Sequence, residues 1–254
     1  MGFGSIITNT HREAIRDKIL YVILIFALLM LSASALLSFL SVGQEGKIII
    51  DLGLSSINIF GLLITIFIGT NLLNKEIDRR TIYLILTKPI YRFEFLLGKH
   101  LGLSLTLFMV IGLMAIVFFG LIFITMRIFS IGILQAIILI YLEMFLLTAM
   151  AIFFSTISSP IMSAVFTLSM YVIGHLTQDL LGFGILSKNY FMKIFTQFLY
   201  YLLPDLSRLN IKNQVVYNIN GIDWTSFSAI LLYGLLYSFV LLILGMIIFE
   251  RKEF

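Results

Sequence analysis

Six long apolar runs, separated by shorter polar segments, dominate the pattern of this 254-residue chain. Each run holds about 20 residues or more, the length that an α-helix needs to cross the hydrocarbon core of a bilayer. We predict spanning helices over residues 19–40, 54–73, 101–126, 131–157, 161–183 and 225–249. The predicted fold class is therefore an all-α integral membrane protein, with one transmembrane domain over residues 1–254.

The composition supports lipid as the solvent of this chain. Hydrophobic residues make up 60% of it and charged residues 12%, whereas roughly a quarter of a soluble protein is charged. The net charge of +4 is modest and gives no reason to expect nucleic acid as a partner. The absence of cysteine excludes disulfides, thiolate metal ligands and cysteine nucleophiles within this sequence.

The positive charges predict the orientation. An even number of spans places both termini on one side of the membrane, and that side carries eleven of the 17 Lys and Arg residues. Cytoplasmic loops retain Lys and Arg, so we predict that both termini are cytoplasmic.

Residues 1–18 and residues 184–223 are two of the segments that lie outside the predicted spans. Residues 1–18 include an amphipathic pattern over 6–18, which predicts a helix on the inner interface with Ile6, Ile7 and Ile15 toward lipid. The alternative is a plain polar leader. Residues 184–223 are predicted to be extracytoplasmic, and their aromatic-rich start indicates an outer interfacial or re-entrant helix.

Ionisable residues within the predicted spans are the candidates for a translocation path or a gate. Glu143 falls near the middle of the fourth span, where a charge costs several kcal/mol unless it is paired or neutral. It is either a path or gating residue or a buried structural one. His175, Gln178 and Asp179 share one helical face, which either lines a wet vestibule or marks the helix leaving the membrane. Gln135 is predicted to extend the polar face of Glu143.

Motifs of catalysis and nucleotide binding are missing from the sequence. The Gly46-Lys47 and Gly98-Lys99 pairs lack the upstream glycine and the Ser or Thr of a phosphate-binding loop. The sequence also has no H-E-x-x-H zinc motif and no G-x-S-x-G nucleophile elbow. We therefore expect that the chain is not itself an enzyme and holds no cofactor or metal.

A dense charged segment over residues 74–100 separates the second and third predicted spans on the cytoplasmic side. It carries both charge signs, as a protein-docking surface does, whereas a lipid-binding patch is uniformly basic. After Pro89, residues 91–99 are predicted to form a short helix that presents Phe95 and Leu96. The alternative is an ordinary solvated loop.

These residues carry a resemblance to the permeases of ABC-2 type transporters, the six-span membrane subunits of one class of ATP-binding-cassette exporter. The matching stretches are Thr10, Arg12, Glu13 and Arg16 in the leader, residues 75–83 with 86–90 and Gly98-Lys99, and residues 149–159 with the tight turn that follows. Residues 201–205, Asn210 and the tail 249–252 are similar to the subfamily that includes the copper-maturation permease of nitrous oxide reductase assembly.

The resemblance implies a separate ABC ATPase in two copies, which binds the ATP and Mg, and a second permease, with this chain as a homodimer. It implies a bacterial or archaeal cytoplasmic membrane. The ATPase-coupling residues that it implies are Glu76, Asp78, Arg79, Arg80, Thr81, Lys88, Pro89, Arg92, Phe95 and Lys99. A second cytoplasmic contact is implied at the turn Ser158-Ser159-Pro160.

Other functional classes stay open at this point. A self-contained secondary transporter would take protons through Glu143 and Asp179, although only Glu143 lies deep in a predicted span. A third class is a membrane enzyme or a purely structural membrane protein. The sequence shows no recognised catalytic constellation that would support an enzyme. An ATP-driven machine that does mechanical work without carrying cargo has the same sequence signature as an exporter, and the sequence does not name a cargo.

Overall fold

The structure is a computed structural model that describes residues 3–38, 44–78, 91–127, 130–187, 190–217 and 220–251. Within these ranges the chain is helical and has no strand, which confirms the all-α class. The helices are α1 (Phe3–Ile15), α2 (Lys18–Ser38), α3 (Glu45–Asp78), α4 (Arg92–Met126), α5 (Ile131–Ile157), α6 (Pro160–His175), α7 (Thr177–Leu186), α8 (Tyr190–Leu202), a 3₁₀ helix (Leu206–Leu209), α9 (Lys212–Tyr217) and α10 (Trp224–Arg251).

Helix α5 lies at the centre and packs against α3, α4, α6 and α10. Its bounds are those predicted for the fourth span. It ends where the Ser158 hydroxyl donates to the carbonyl of Phe154 at 2.8 Å, and Pro160 then opens α6 at a position where its missing N–H costs nothing. The predicted tight turn is therefore present.

Within the described residues, four helices, α3, α4, α5 and α10, are each long and apolar enough to cross a membrane. The pair α6 and α7 together would make a fifth span, and α2 supplies a shorter apolar stretch, Lys18–Ser34. The predicted end of the first span lies partly outside the described residues, so the count of six stays a prediction.

The fifth predicted span is broken. Helices α6 and α7 meet at Leu176 with a bend of 55°, so the prediction of one continuous helix over 161–183 is wrong. No proline lies at the break. Its physical cause is tertiary, because the extracytoplasmic segment packs against Gly174 and binds Thr177 and Gln178.

Two predicted spans begin earlier than expected. Helix α3 starts at Glu45 rather than at residue 54, and α4 starts at Arg92 rather than at residue 101. The Tyr91 N–H donates to the Glu94 carboxylate at 3.2 Å, which satisfies a free amide at the start of α4. The short helix predicted over 91–99 is therefore the first part of α4 and not a separate element.

Helix α1 packs against α4 within the protein. Ile6, Thr10 and Ala14 form its buried face, so the expectation that Ile6 faces lipid is wrong. Helix α8 forms where the aromatic-rich stretch predicts a helix, and it exposes Phe191, Phe195, Phe198 and Tyr201.

Candidate functional site

The end of α4 that is predicted to be cytoplasmic carries a close helix junction. We call it the cytoplasmic joint after that prediction and define it as Ile6, Thr10, Phe95, Gly98, Lys99, Gly102 and Phe249. Gly98 and Gly102 lie one turn apart on the face of α4 that receives α1. A Cβ added at Gly102 would lie 2.6 Å from the Thr10 Cβ and 2.8 Å from the carbonyl oxygen of Ile7. A Cβ at Gly98 would lie 2.7 Å from a methyl carbon of Ile6. Only glycine at these positions lets the two helices approach so closely.

The same joint contains a buried cation. The Lys99 side chain is 2% exposed, with its Nζ 3.7 Å from a carboxylate oxygen of Glu13 and 5.8 Å from the ring centre of Phe95. Phe95 in turn stacks on Phe249 of α10, with ring centroids 6.0 Å apart. The joint therefore connects α1, α4 and α10 immediately after residues 79–90.

The predicted ATPase-coupling residues fall mostly outside the described part of the chain. Arg79, Arg80, Thr81, Lys88 and Pro89 lie outside it altogether. Glu76 and Asp78 lie in the last turns of α3 and Arg92 opens α4, but their side chains lie outside the described residues as well.

The structure describes the side chains of the two remaining coupling residues. Phe95 is buried together with Leu96, so the expectation that residues 91–99 present these two side chains is wrong. Lys99 is buried too, and both Phe95 and Lys99 pack inside the joint. The docking role of the whole segment stays a prediction.

The second predicted cytoplasmic contact is the turn between α5 and α6. The hydroxyl oxygens of Ser158 and Ser163 lie 2.9 Å apart across the turn. Ser159 is exposed and Pro160 is half-buried. The turn is thus stabilised by hydrogen bonds of Ser158 and exposes the Ser159 side chain. Its contact with a partner stays a prediction.

Glu143 lies in a buried polar cluster within the bundle, formed with Asn58, Tyr171 and His175. The Asn58 amide donates to Glu143 Oε2 at 2.8 Å, and the Tyr171 hydroxyl donates to Asn58 Oδ1 at 2.7 Å. His175 Nε2 lies 3.3 Å from Glu143 Oε1. Helices α3, α5 and α6 are joined by this cluster, which we call the inner polar cluster.

A second polar cluster surrounds Asp205 in the predicted extracytoplasmic segment; we call it the outer polar cluster. Arg208 Nε donates to the Asp205 carboxylate at 2.9 Å, and Thr177 and Gln178 donate to it at 3.2 Å and 3.3 Å. The Asp205 amide donates to the Tyr233 hydroxyl at 2.8 Å. Burial by itself raises the pKa of Asp205, but the hydrogen bonds from Ser207, Arg208, Gln178 and Thr177 outweigh it, and the pKa lies below its ordinary value.

Residues 204–217, which we call the outer plug, pack into the bundle through buried Leu206, Leu209 and Val215. A Cβ added at Gly174 would lie 2.7 Å from Leu206, so the plug approaches α6 closely. Burial lowers the pKa of Lys212, and attraction to Glu143 and to Asp51 offsets part of that effect. The positive charge of Lys212 in the plug therefore interacts with Glu143 of the inner polar cluster.

The predicted path residues separate into different environments. Glu143 and His175 come together in the inner cluster, Gln178 binds Asp205 in the outer cluster, and Asp179 is exposed. The shared face predicted for His175, Gln178 and Asp179 is therefore wrong, since the break at Leu176 divides it.

Gln135 also lies elsewhere than expected. Its amide donates to the Ile222 carbonyl and accepts from the Ile222 N–H, both at 3.0 Å, so it fixes the loop before α10 instead of extending the polar face of Glu143. Sequence reasoning missed Asn58, Tyr171, Asp205 and Lys212 as cluster members. Asn58 in the second apolar run was a usable signal, since a buried amide needs partners.

The helices and the buried polar residues together define a multi-pass membrane protein with an all-α bundle. The family model for ABC-2 family transporter proteins matches residues 5–254, and the chain belongs to that family. It is thus the permease, or membrane subunit, of an ABC transporter, a family that associates with an ABC ATPase. No curated protein matches the chain. The copper-related subfamily stays a prediction.

Proposed function

We propose that this permease couples ATP hydrolysis by a separate nucleotide-binding subunit to the export of a substrate or to mechanical work on the membrane. In this proposal the ATP and Mg bind in the partner ATPase and this chain holds no cofactor. Two ATPases act on two permeases, with this chain as a homodimer. The membrane is the bacterial or archaeal cytoplasmic membrane, and both termini are cytoplasmic.

The cytoplasmic joint is the observation that carries this proposal. Residues 79–90 connect the end of α3 to the start of α4, and the joint begins five residues past this connection, at Phe95. A force on the connection therefore acts on a close-packed contact among α1, α4 and α10. Packed interiors have low compressibility and transmit displacement, so the three helices move together.

The ATPase contact itself is proposed for the charged residues of the 74–100 segment, with Arg79 and Arg80 at its centre. Phe95 and Lys99 are buried within the joint, so in this proposal they do not touch the partner. The Ser158-Ser159-Pro160 turn is the proposed minor contact, through exposed Ser159.

The test is affinity purification of the tagged chain from its native host in mild detergent, followed by an assay of ATP hydrolysis in the eluate. We expect the double variant Arg79→Glu, Arg80→Glu to lower co-purified ATPase activity by about tenfold or more, because reversed charges oppose the partner surface. The permease yield is measured in parallel.

A matched double variant, Arg127→Glu with Lys193→Glu, reverses two exposed charges on the predicted outer side. It should leave the co-purified activity unchanged. Equal ATPase recovery from both double variants would overturn the assignment of the docking segment, and a well-folded chain that never recovers an ATPase would overturn the proposed coupling.

A further inference from the structure

Among the described residues, neither Glu143 Oε1 nor His175 Nε2 has a hydrogen-bond partner, and the two atoms face each other. Glu143 is 0% exposed, and both its Oε1 and the His175 Nε2 are buried within the described residues. The other polar atoms of the pair are occupied: Oε2 accepts from Asn58, and His175 Nδ1 lies 3.0 Å from the carbonyl oxygen of Tyr171. The two atoms lie 3.3 Å apart, within reach of a hydrogen bond once one of them carries a proton directed at the other.

The bond to Tyr171 fixes the tautomer of His175. A carbonyl oxygen only accepts, so Nδ1 carries a proton and donates it. In a neutral imidazole the other nitrogen, Nε2, is then an acceptor. An ionised Glu143 is an acceptor as well, so without a further proton two lone pairs would oppose each other in a buried site, at the cost of two unsatisfied polar atoms.

One proton removes this conflict. Whether it resides on Nε2 or on Oε1, one of the two atoms donates to the other, and the pair as a whole is neutral. A buried neutral pair costs far less than a buried lone charge. We propose that Glu143 and His175 bind one shared proton, and that this proton holds the break between α6 and α7 closed against α5.

The surroundings fit a site that exchanges its proton with the outer side. His175 is the last residue of α6, directly before the break, and its side chain is 21% exposed whereas Glu143 has no exposure. The titratable groups that act on the pair directly are Tyr171 on α6, Asp205 before the 3₁₀ helix and Lys212 on α9. On the other elements packed around it, Asp51 on α3 attracts Lys212, His100 on α4 contacts the backbone of α5, and Tyr233 on α10 binds Asp205.

Lys212 and Asp205 act on the pair through their charges. Lys212 is attracted to both Glu143 and Asp51, which balances the charge of the plug against α3 and α5. His100 lies 3.2 Å from the Phe145 carbonyl, and the Tyr233 hydroxyl accepts from the Asp205 amide, so these contacts of both residues are with groups outside the pair. Loss of the shared proton adds one negative charge to the buried pair, and Lys212, which Asp51 also attracts, offsets only part of it, so the loss favours opening of the break to water.

The proton can be observed directly, because the chain has only three histidines, His11, His100 and His175. The chain is labelled with ¹⁵N-histidine, placed in nanodiscs and studied by NMR from about pH 6 to about pH 9, with His175→Asn used to assign the signal. We expect the His175 Nε2 signal to be that of a protonated or hydrogen-bonded nitrogen at the acidic end and to change as the proton is lost.

Glu143→Gln is the matched variant, because its amide can donate to Nε2 and has no proton to lose in this range. We expect the pH-dependent change of the His175 signal to disappear in it. A wild-type Nε2 that is free of hydrogen bonding over the whole range would overturn the proposal, and this result needs no variant to fold. Survival of the pH dependence in Glu143→Gln would overturn it as well.

Closure of the break has a separate readout, since the chain has no native cysteine. A single Val215→Cys reports on the plug, where Val215 is 0% exposed, and Tyr217→Cys is an exposed reference two residues away. We expect maleimide labelling at 215, relative to 217, to rise about tenfold as the proton is lost, the change in an opening equilibrium that one hydrogen bond of ~1.4 kcal/mol produces.

The reference cysteine cancels the direct effect of pH on thiol reactivity. In the Glu143→Gln background the labelling ratio should stay constant over the same range. A constant ratio in the wild type would show that the proton does not control the break, and a pH-dependent ratio in Glu143→Gln would assign the opening to another group such as Lys212. Either result overturns this half of the proposal.

Discussion

The cytoplasmic joint and the outer polar cluster do the same architectural task by different physical means. Each holds a segment outside the predicted spans against the helix bundle: α1 in the first case and the outer plug in the second. The joint relies on close backbone approach at Gly98 and Gly102, supported by the ion pair between Lys99 and Glu13. The outer cluster relies on hydrogen bonds that converge on Asp205.

This difference determines how each region responds to a load. Close-packed contacts without voids do not stretch, so the joint suits the transmission of a displacement. A hydrogen-bonded cluster consists of separate contacts that water or a proton can replace one at a time. The contacts of the outer polar cluster therefore allow the outer plug to open, whereas the helices that meet at the cytoplasmic joint are suited to moving as one body.

The largest effect is expected from Asp205→Ala. The change removes the acceptor of Arg208, Thr177 and Gln178 and leaves these donors in a partly buried site, at a cost of about 3 kcal/mol. We expect trypsin to cleave after Arg208 and Lys212 much faster in the variant. The rate of cleavage in detergent, followed by mass spectrometry, measures this opening.

Asp179→Ala is the control for that change, because Asp179 is an exposed carboxylate on the same broken span. Its effect should lie within about 0.5 kcal/mol, as for most surface substitutions. If both variants are cleaved equally fast, the Asp205 cluster does not hold the plug.

A smaller effect is expected from Gly102→Ala in the joint. The new Cβ would lie 2.8 Å from the backbone oxygen of Ile7, and backbone cannot rotate away, so α1 must shift at a cost of about 2 kcal/mol. We expect a lower unfolding midpoint and weaker ATPase association, measured by thermal unfolding and by co-purification.

Gly120→Ala lies on the same helix and provides the comparison, since a Cβ at residue 120 meets nothing within 4 Å. That substitution should be neutral or slightly stabilising, because alanine favours a helix more than glycine does. Equal losses from both glycine variants would point to a general effect on α4 and not to the joint.

Local patterns predicted the helices where the determinants are local. The bounds of α5 follow from an apolar run that ends at Ser158-Ser159-Pro160, where the serines and the proline stop a helix whatever surrounds them. Helix α10 likewise begins one residue before its predicted start. In both cases the bound lies within a residue of where the apolar run itself begins or ends.

The break at Leu176 and the two polar clusters follow from contacts between distant residues, which periodicity does not contain. Thr177 binds Asp205, 28 positions away, and Tyr171 binds Asn58, 113 positions away. The sequence marked Glu143 and His175 as unusual because polar groups in apolar runs are costly. It did not reveal that they face each other.

The smallest effect that distinguishes the two regions is expected from Gln135→Leu. Gln135 exchanges two hydrogen bonds with the backbone of Ile222, and their loss leaves two backbone groups unsatisfied, at a cost of about 1–2 kcal/mol. Trp224 is the single tryptophan of the chain and lies two residues further on, so its fluorescence reports on this loop. We expect faster quenching of Trp224 by acrylamide in the variant, with trypsin cleavage after Arg208 unchanged, because the outer cluster makes its own contacts.

Thr125→Val removes an exposed hydroxyl within α4 and should alter neither signal. If Gln135→Leu accelerated both quenching and cleavage to the same degree, the loop before α10 and the outer plug would open as one unit. The hydrogen bonds of Gln135 and those of Asp205 would then not act independently of each other.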